Sequence, residues 1–317
     1  MSSPVYTFSK GAAPADFVPN SIEDLGSMLG KVAYQIIREV SAEDKLAIFN
    51  KMPVDNGDTI EQVVVKLADA QAYDKTGAGA LSRKTPSISV RYFNDWTRNK
   101  FETTVDVSLI RKVLLTGKGS SDLSTKIVGV LGESDKYEKY TQMKNLFKWG
   151  RQDQSGKVLK LYDTVAYGTN AIDYKAVLQS LKNVVAGMQY VNTSFNTASI
   201  NRKTNASDIV ILMPYKLKNM LDVEELAGVF NLDKAEIRSK IIEIDTDTET
   251  IGGKDTFAIY VVDKNAILSF TRLYEMADQK NADGLFWNYF LHTERMYAIS
   301  PLFDCGYILV KAEAAGE

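Results

Sequence analysis

Two β-rich limbs around a glycine-containing tip constrain this chain more than any other stretch. Ile60 to Leu67 is rich in Val and Ile, and Ile88, Val90 and Tyr92 open a returning strand that runs towards Val105. Between them lies Tyr73-Asp74-Lys75-Thr76-Gly77-Ala78-Gly79-Ala80, a run of turn formers. Each limb has on the order of 15 residues and reaches about 50 Å at about 3.3 Å per residue. A compact chain of this length has a radius of gyration of about 20 Å. The pattern therefore predicts a hairpin that projects beyond its own globule. Glu61, Gln62, Lys66, Ser87, Ser89, Arg91 and Asn94 give it mixed polar faces, which suit lying on another surface. An ordinary solvated hairpin is the alternative.

The remaining pattern is α+β. Residues 1–20 read as an extended arm, and Ser21 with Asp24 opens a helix whose apolar face runs from Ile22 to Val40. A turn at 54–58 precedes the hairpin. After it comes a short helix at 107–116, broken by Gly117-Lys118-Gly119. Ser120, Ser121 and Asp122 offer caps for a long helix to about Phe147. Residues 150–168 read as irregular or a brief β excursion. Asn170 with Asp173 caps a helix with Val177, Leu181, Val184 and Met188 on one face, and a polar loop follows at 192–207. Ile209 to Met213 is a central strand stopped by Pro214. Short helices at about 215–221, 223–230 and 233–239 lead to strands at 241–244, 257–262 and 266–270. The closing stretch, Gly284 to Lys311, reads as a long strand, a corner at Pro301 and a second strand. Both faces of the long strand are partly apolar, so both should be covered.

Composition excludes several functions. With 38 basic and 40 acidic residues the net charge is −2, against a basic face that grips nucleic acid. One cysteine, Cys305, rules out an internal disulfide framework and a Cys-rich zinc site. The start, MSSPVYTFSK, has no apolar signal core, and no apolar run approaches the roughly 18 residues of a membrane span. A soluble chain of a reducing, cytosol-like compartment is expected. His292, the only histidine, lies in an apolar-flanked strand and reads as packed rather than as a general base. Cys305 reads as a buried filler. The run Asp245-Thr246-Asp247-Thr248-Glu249 begins like an oxygen-ligand cation site but lacks the glycine and distal glutamate of an EF-hand loop. Neither Gly117-Lys118-Gly119 nor Gly77-Ala78-Gly79 has the surroundings of a phosphate-binding loop. No enzyme activity, catalytic residue, cofactor or metal is assigned.

Leu221-Asp222-Val223-Glu224-Glu225-Leu226-Ala227-Gly228-Val229-Phe230-Asn231-Leu232, Val262-Asp263-Lys264 and Gly284-Leu285-Phe286-Trp287-Asn288-Tyr289-Phe290 resemble the major capsid protein of the small phi-29-like podoviruses, a tailed-bacteriophage family with the HK-97 fold. Gly57-Asp58-Thr59-Ile60-Glu61 with Gln71, Tyr73 and Asp74 resembles the ascending limb of that family's extended loop. Pro86, Val90, Phe93, Asn94 and Asn99-Lys100-Phe101 resemble the descending limb. The likeness spans about 57–311 and is patchy in the middle.

This resemblance implies an N-terminal arm and helix at 1–57 and an extended hairpin loop at 58–106. A peripheral domain with a long spine helix would take 107–165 and 284–300, and an axial domain 166–283 and 301–317. The function implied is a non-enzymatic shell protein of the virion, assembled in the host bacterial cytoplasm. It would form hexamers and pentamers of an icosahedral or prolate head around double-stranded DNA held non-specifically. Its expected contacts with neighbouring copies are Gln71, Tyr73, Asp74, Lys75, Gly77, Gly79 and Leu81 at the hairpin tip, the arm, and the 192–207 loop. The chain stops at Glu317 with no counterpart of the immunoglobulin-like domain that some relatives carry, and it has no long helical N-terminal extension to act as a built-in scaffold. A separate scaffolding protein and a portal are therefore expected partners, and no membrane is. Two other readings stand beside this one: an encapsulin-like nanocompartment shell, and a soluble enzyme built on Asp245, Asp247 and His292.

Overall fold

The structure is a computed structural model. It describes residues 41–55, 57–72, 75–76, 83–106, 117–152, 158–167, 172–220, 241–245, 249–251 and 254–312. The arm, its helix at 22–40 and the helices expected at 107–116, 223–230 and 233–239 lie outside these residues. By compactness the chain divides into a smaller unit of residues 1–40, 102–131 and 278–289 and a larger unit of 41–101, 132–277 and 290–317.

The larger unit is built on a six-stranded mixed sheet. Its strands are β4 (Lys160–Tyr167), β5 (Ile209–Pro214), β6 (Ile241–Ile244), β8 (Lys254–Asp263) and β11 (Cys305–Ala312), in the order β4-β11-β8-β5-β6, with β7 (Glu249–Ile251) pairing β8 to one side. The apolar run Ile209 to Met213 is a fully buried central strand, and Pro214 closes it as the last strand residue before α3 (Tyr215–Met220). Alternation assigns its side chains to two cores. Ile209, Ile211 and Met213 pack with Ile259 and Val261 of β8 beneath α2 (Tyr174–Met188). Val210 and Leu212 turn the other way with Tyr260 and Val262, towards Met143 and Phe147 of α1 (Gly117–Gln152). A doubly covered sheet calls for apolar residues at successive positions, which is how this strand reads.

Helix α2 forms where its spacing predicts. Asp173 caps it, its Oδ1 accepting from the Ala176 amide at 3.1 Å, and Val177, Leu181, Val185 and Met188 are buried along one side. On the opposite core, Phe147 stacks between Phe49 (centroids 6.0 Å apart) and Tyr260 (5.1 Å). Helix α1 differs from expectation at its start. It begins at Gly117, so the predicted Gly-Lys-Gly break and the proposed caps at 120–122 lie inside it. Each glycine costs about 1 kcal/mol against alanine in a helix, less than a 36-residue cooperative helix can absorb.

Residues 150–168 contain a true strand, β4, paired in parallel with β11. The pairing is tight: a Cβ on Gly306 would lie 2.2 Å from the Lys160 carbonyl oxygen. The closing stretch forms two strands, as read. Residues 287–299 form β10, in a three-stranded sheet ordered β3-β10-β9 with β3 (Thr97–Val105) and β9 (Ile267–Lys280); after the corner, β11 joins the six-stranded sheet. Leu291 and residues 293–296 of β10 are buried, with His292 half-buried among them.

One sequence expectation is corrected here. The returning limb of the hairpin is not one strand to Val105. It breaks at Asn94–Trp96 into β2 (Ile88–Phe93), which pairs β1 (Ile60–Val65), and β3, which belongs to a different sheet. A conformational break at three residues is invisible to a β-propensity reading, because β2 and β3 both carry strand-forming residues.

Candidate functional site

Among the described residues, the β1–β2 ladder is a sheet of its own. Its antiparallel register pairs Glu61 with Tyr92, Val63 with Val90 and Val65 with Ile88, and the Lys66 amide adds a rung to the Ser87 carbonyl at 2.8 Å. These three pairs point to one side. Val63, Val65, Ile88 and Val90 are all exposed, and Tyr92 keeps 67% of its surface. The other side carries Ile60, Gln62, Val64, Ser89 and Phe93, all half-buried, together with the exposed Arg91, and the Gln62 side-chain amide donates to the Asn265 carbonyl at 3.5 Å. One face thus lies over its own unit and the other is a bare apolar stripe. Leu67 beyond the ladder extends it at 63% exposure. At the stripe's edge, the Tyr92 hydroxyl donates to Glu61 Oε1 at 3.2 Å, and that hydrogen bond to a carboxylate pushes the phenol's pKa up.

Two-stranded ladders are marginal alone in water, and four β-branched residues whose outer surface faces solvent leave most of their apolar area unburied. The polar residues of the ladder divide unequally: Gln62, Ser89 and Arg91 share the other side, Glu61 sits at the stripe's edge, and the four Val and Ile residues hold its centre. Register decides this, and register follows from pairing that composition does not show.

At the tip, Gln71 and Lys75 are exposed. Tyr73, Asp74, Gly77, Gly79 and Leu81 lie outside the described residues. The hairpin's base is held by charge. Arg272 lies 4.6 Å over the Trp96 ring, and its guanidinium meets Glu294 Oε1 at 2.5 Å. Arg98 takes Oε2 of the same carboxylate at 2.9 Å. The Arg98 and Arg272 hydrogen bonds hold the Glu294 carboxyl below its ordinary pKa. Sequence reading missed this anchor and its neighbour, the buried Asp135–Arg295 pair. The available signal was the adjacent charged residues Glu294-Arg295 within an apolar strand.

The residues considered for chemistry have other occupations. His292 packs beside Phe290, ring centroids 6.3 Å apart. Cys305 is buried, and burial pushes its thiol well above the usual range, away from a nucleophile's thiolate. Asp245 binds the Tyr140 hydroxyl and Lys144 Nζ, the latter at 2.9 Å. Asp247 lies outside the described residues. In the 192–207 loop, Asn196 is buried while Tyr190 and Val191, just before it, are exposed.

The family described as Phi29-like phage major capsid protein matches residues 16–309. Among its relatives, the major capsid protein of Bacillus phage GA-1 is 24% identical over 288 residues, covering 86% of this chain and 57% of its own length. The major capsid protein of Streptococcus phage Cp-1 is 24% identical over 305 residues, covering 91% and 82%. The chain thus spans less than two thirds of the GA-1 protein; for the Bacillus phage B103 protein, 22% identical with 88% of this chain covered, the share is 61%. Among solved structures, a chain of the capsid of Staphylococcus phage Andhra superposes with a TM-score of 0.72 at 13% identity, covering 90% of this chain and 88% of that one. A chain from the structure of head fiber and inner core protein of bacteriophage P68 gives 0.65 at 13% identity, covering 96% and 94%. The architecture is the α+β HK-97-like fold of phage capsids.

Proposed function

We propose that this chain, which belongs to the Phi29-like phage major capsid protein family, builds the head of a phage virion by closing with many copies of itself into hexamers and pentamers. The head is icosahedral or prolate and encloses double-stranded DNA. The relatives named above are phage major capsid proteins, which favours a head over a nanocompartment.

The observation that carries this reading is the bare apolar stripe of Val63, Val65, Ile88, Val90 and Tyr92 on a ladder that, among the described residues, pairs with no other strand. Exposed apolar surface of this kind marks an interaction site, and in a shell its partner is a neighbouring copy. A single contact need provide only a modest surplus over the entropy of association. Each subunit in a closed shell makes several, and their joint strength exceeds any one of them. On this reading the hairpin tip, with Gln71, Tyr73, Asp74, Lys75, Gly77, Gly79 and Leu81, lies on the neighbour with the N-terminal arm. The 192–207 loop faces a capsomer axis. Residues 1–57 act as arm, 58–106 as extended loop, 107–165 with 284–300 as peripheral domain, and 166–283 with 301–317 as axial domain. A net charge of −2 suits a wall that holds DNA without gripping it. A separate scaffolding protein and a portal complete the assembly, which takes place in the host cytoplasm.

The test is expression with and without the candidate scaffolding protein, followed by negative-stain microscopy. Closed shells are expected; monomers or small oligomers under every condition would overturn the proposal.

A further inference from the structure

Between Asp173 and Asp208 the sequence holds no acidic residue, in a chain that carries 40 of them. The same stretch holds Lys175, Lys182, Arg202 and Lys203, and it covers all of α2 and the loop that follows. Helix α2 buries Val177, Leu181, Val184 and Met188 on one side, and Lys175, Gln179, Lys182, Ala186 and Gln189 are exposed. Steps of four, three, four and three residues place these five in one row along the helix. Lys203 is exposed where the row ends, next to Thr204, whose amide donates to the Met188 carbonyl at 2.7 Å.

The charge of this row is uncompensated. Among the described residues, Lys175, Lys182 and Lys203 make no ion pair, while Arg202 is held by Asp263 at 2.9 Å. The acids that flank α2 have other partners. Asp173 accepts from the Ala176 amide at 3.1 Å as the N-cap, and Asp163 of β4 accepts from the Ser180 hydroxyl and, at 2.8 Å, from the Thr164 amide. Lysines of α1 are treated differently by the fold. Lys136 pairs with Glu133 at 2.7 Å and Lys144 with Asp245 at 2.9 Å, so that surface is neutralised from within the chain.

We propose that this row is the part of the head's inner wall that touches the packaged duplex, and that it does so through the phosphates alone. The proposal rests on the reading of the chain as a phage head protein. Duplex DNA carries about one negative charge per 1.7 Å of axis, and lysines that displace its counterions bind it without regard to sequence. Lys175 and Lys182 stand about 10 Å apart along the helix, a span of about three phosphates of one strand. Asn183, exposed beside them, accepts from Gln179 at 3.4 Å and keeps its own amide protons for phosphate oxygens. Ammonium groups lack the planar fork that reads base edges, so the contact positions DNA and carries no sequence information.

Three lysines make a weak contact. Duplex affinity should fall by about 40-fold between 50 and 200 mM salt, against about a thousandfold or more for proteins that make six to ten phosphate contacts. A wall needs no more, because every subunit of a closed shell repeats the row.

Fluorescence anisotropy of a short labelled duplex, titrated with the purified subunit at several salt concentrations, tests this. The wild type should bind two unrelated sequences equally, with log affinity falling against log salt at a slope of about −2.7. Lys175→Gln with Lys182→Gln should flatten that slope to about −0.9, and Lys175→Arg with Lys182→Arg should keep it. Lys216→Gln with Lys311→Gln, exposed lysines outside the row, should leave it unchanged. An unaltered slope and affinity in Lys175→Gln with Lys182→Gln, or a preference for one sequence, overturns the proposal. Tighter binding of a polyglutamate peptide than of the duplex also overturns it, and assigns the row to an acidic protein segment. Negative-stain microscopy keeps this proposal apart from the reading it rests on. Shells are expected from the wild type and from Lys175→Gln with Lys182→Gln alike. Their absence from both overturns the head itself, and their absence from the variant alone places the row in assembly and overturns the DNA contact.

Discussion

Asp135 of α1 and Arg295 of β10 meet as a doubly bonded ion pair, Arg295 Nη2 3.0 Å from Oδ2, with both side chains 4% exposed. Lys139, one turn along α1, stands 3.8 Å from the same carboxylate. Removing either partner strands a buried charge. Asp135→Ala or Arg295→Ala should therefore cost about 3–5 kcal/mol in urea unfolding. Asp135→Leu combined with Arg295→Met should recover most of that loss, because apolar residues of similar size need no partner. A double variant no more stable than the singles would show that the pair itself holds the helix to the strand.

The hairpin stripe separates assembly from folding. Val63→Lys with Val90→Glu keeps a favourable cross-strand pair while removing the apolar centre. Monomer stability should stay within about 0.5 kcal/mol, as for ordinary surface changes, while particle yield collapses. Deleting 74–81 should have the same outcome. Normal shells from either variant would remove the stripe and the tip from the assembly surface.

Gly306 gives a prediction about backbone proximity. Gly306→Ala places a methyl carbon 2.2 Å from the Lys160 carbonyl, a backbone atom that cannot swing aside. Overpacking of this kind costs about 1–3 kcal/mol. The loss should appear as a lower urea midpoint and as faster amide exchange along β4.

Glu294 predicts an acid limb. Its folded-state pKa lies below the unfolded value, so its contribution is full above the ordinary glutamate pKa and disappears as pH falls through the lowered value. The difference in thermal midpoint between wild type and Glu294→Gln should therefore shrink as pH is lowered through this window. A difference that stays constant down to strongly acidic pH would mean the charge is not what Arg98 and Arg272 use.

Local signals made much of the fold legible. The α2 stripe with its Asp173 cap, the all-apolar β5 and the two closing strands each satisfy a periodicity rule within a single segment. Relations between distant segments were not legible in the same way. The pairing of β4 with β11, the partnership of Asp135 with Arg295 and the grip of Arg272 on Trp96 join residues far apart in the chain, and no local pattern encodes them. The hairpin lies between these cases. Its position was readable from β-rich limbs and turn formers. The apolar character of its free face was not, because that depends on which residues stand opposite one another.

The placement of β11 also sets an order of events in time. β4 lies at the edge of the six-stranded sheet with β11 as its neighbour, and β11 also pairs β8. A ribosome makes about 5–20 residues per second, so β4 waits on the order of ten seconds for the strand that covers its edge. During that interval the edge of β8 destined for β11 is also unpaired, and such edges recruit other chains. A chain released before β11 is made would therefore carry two unpaired strand edges that the finished sheet closes.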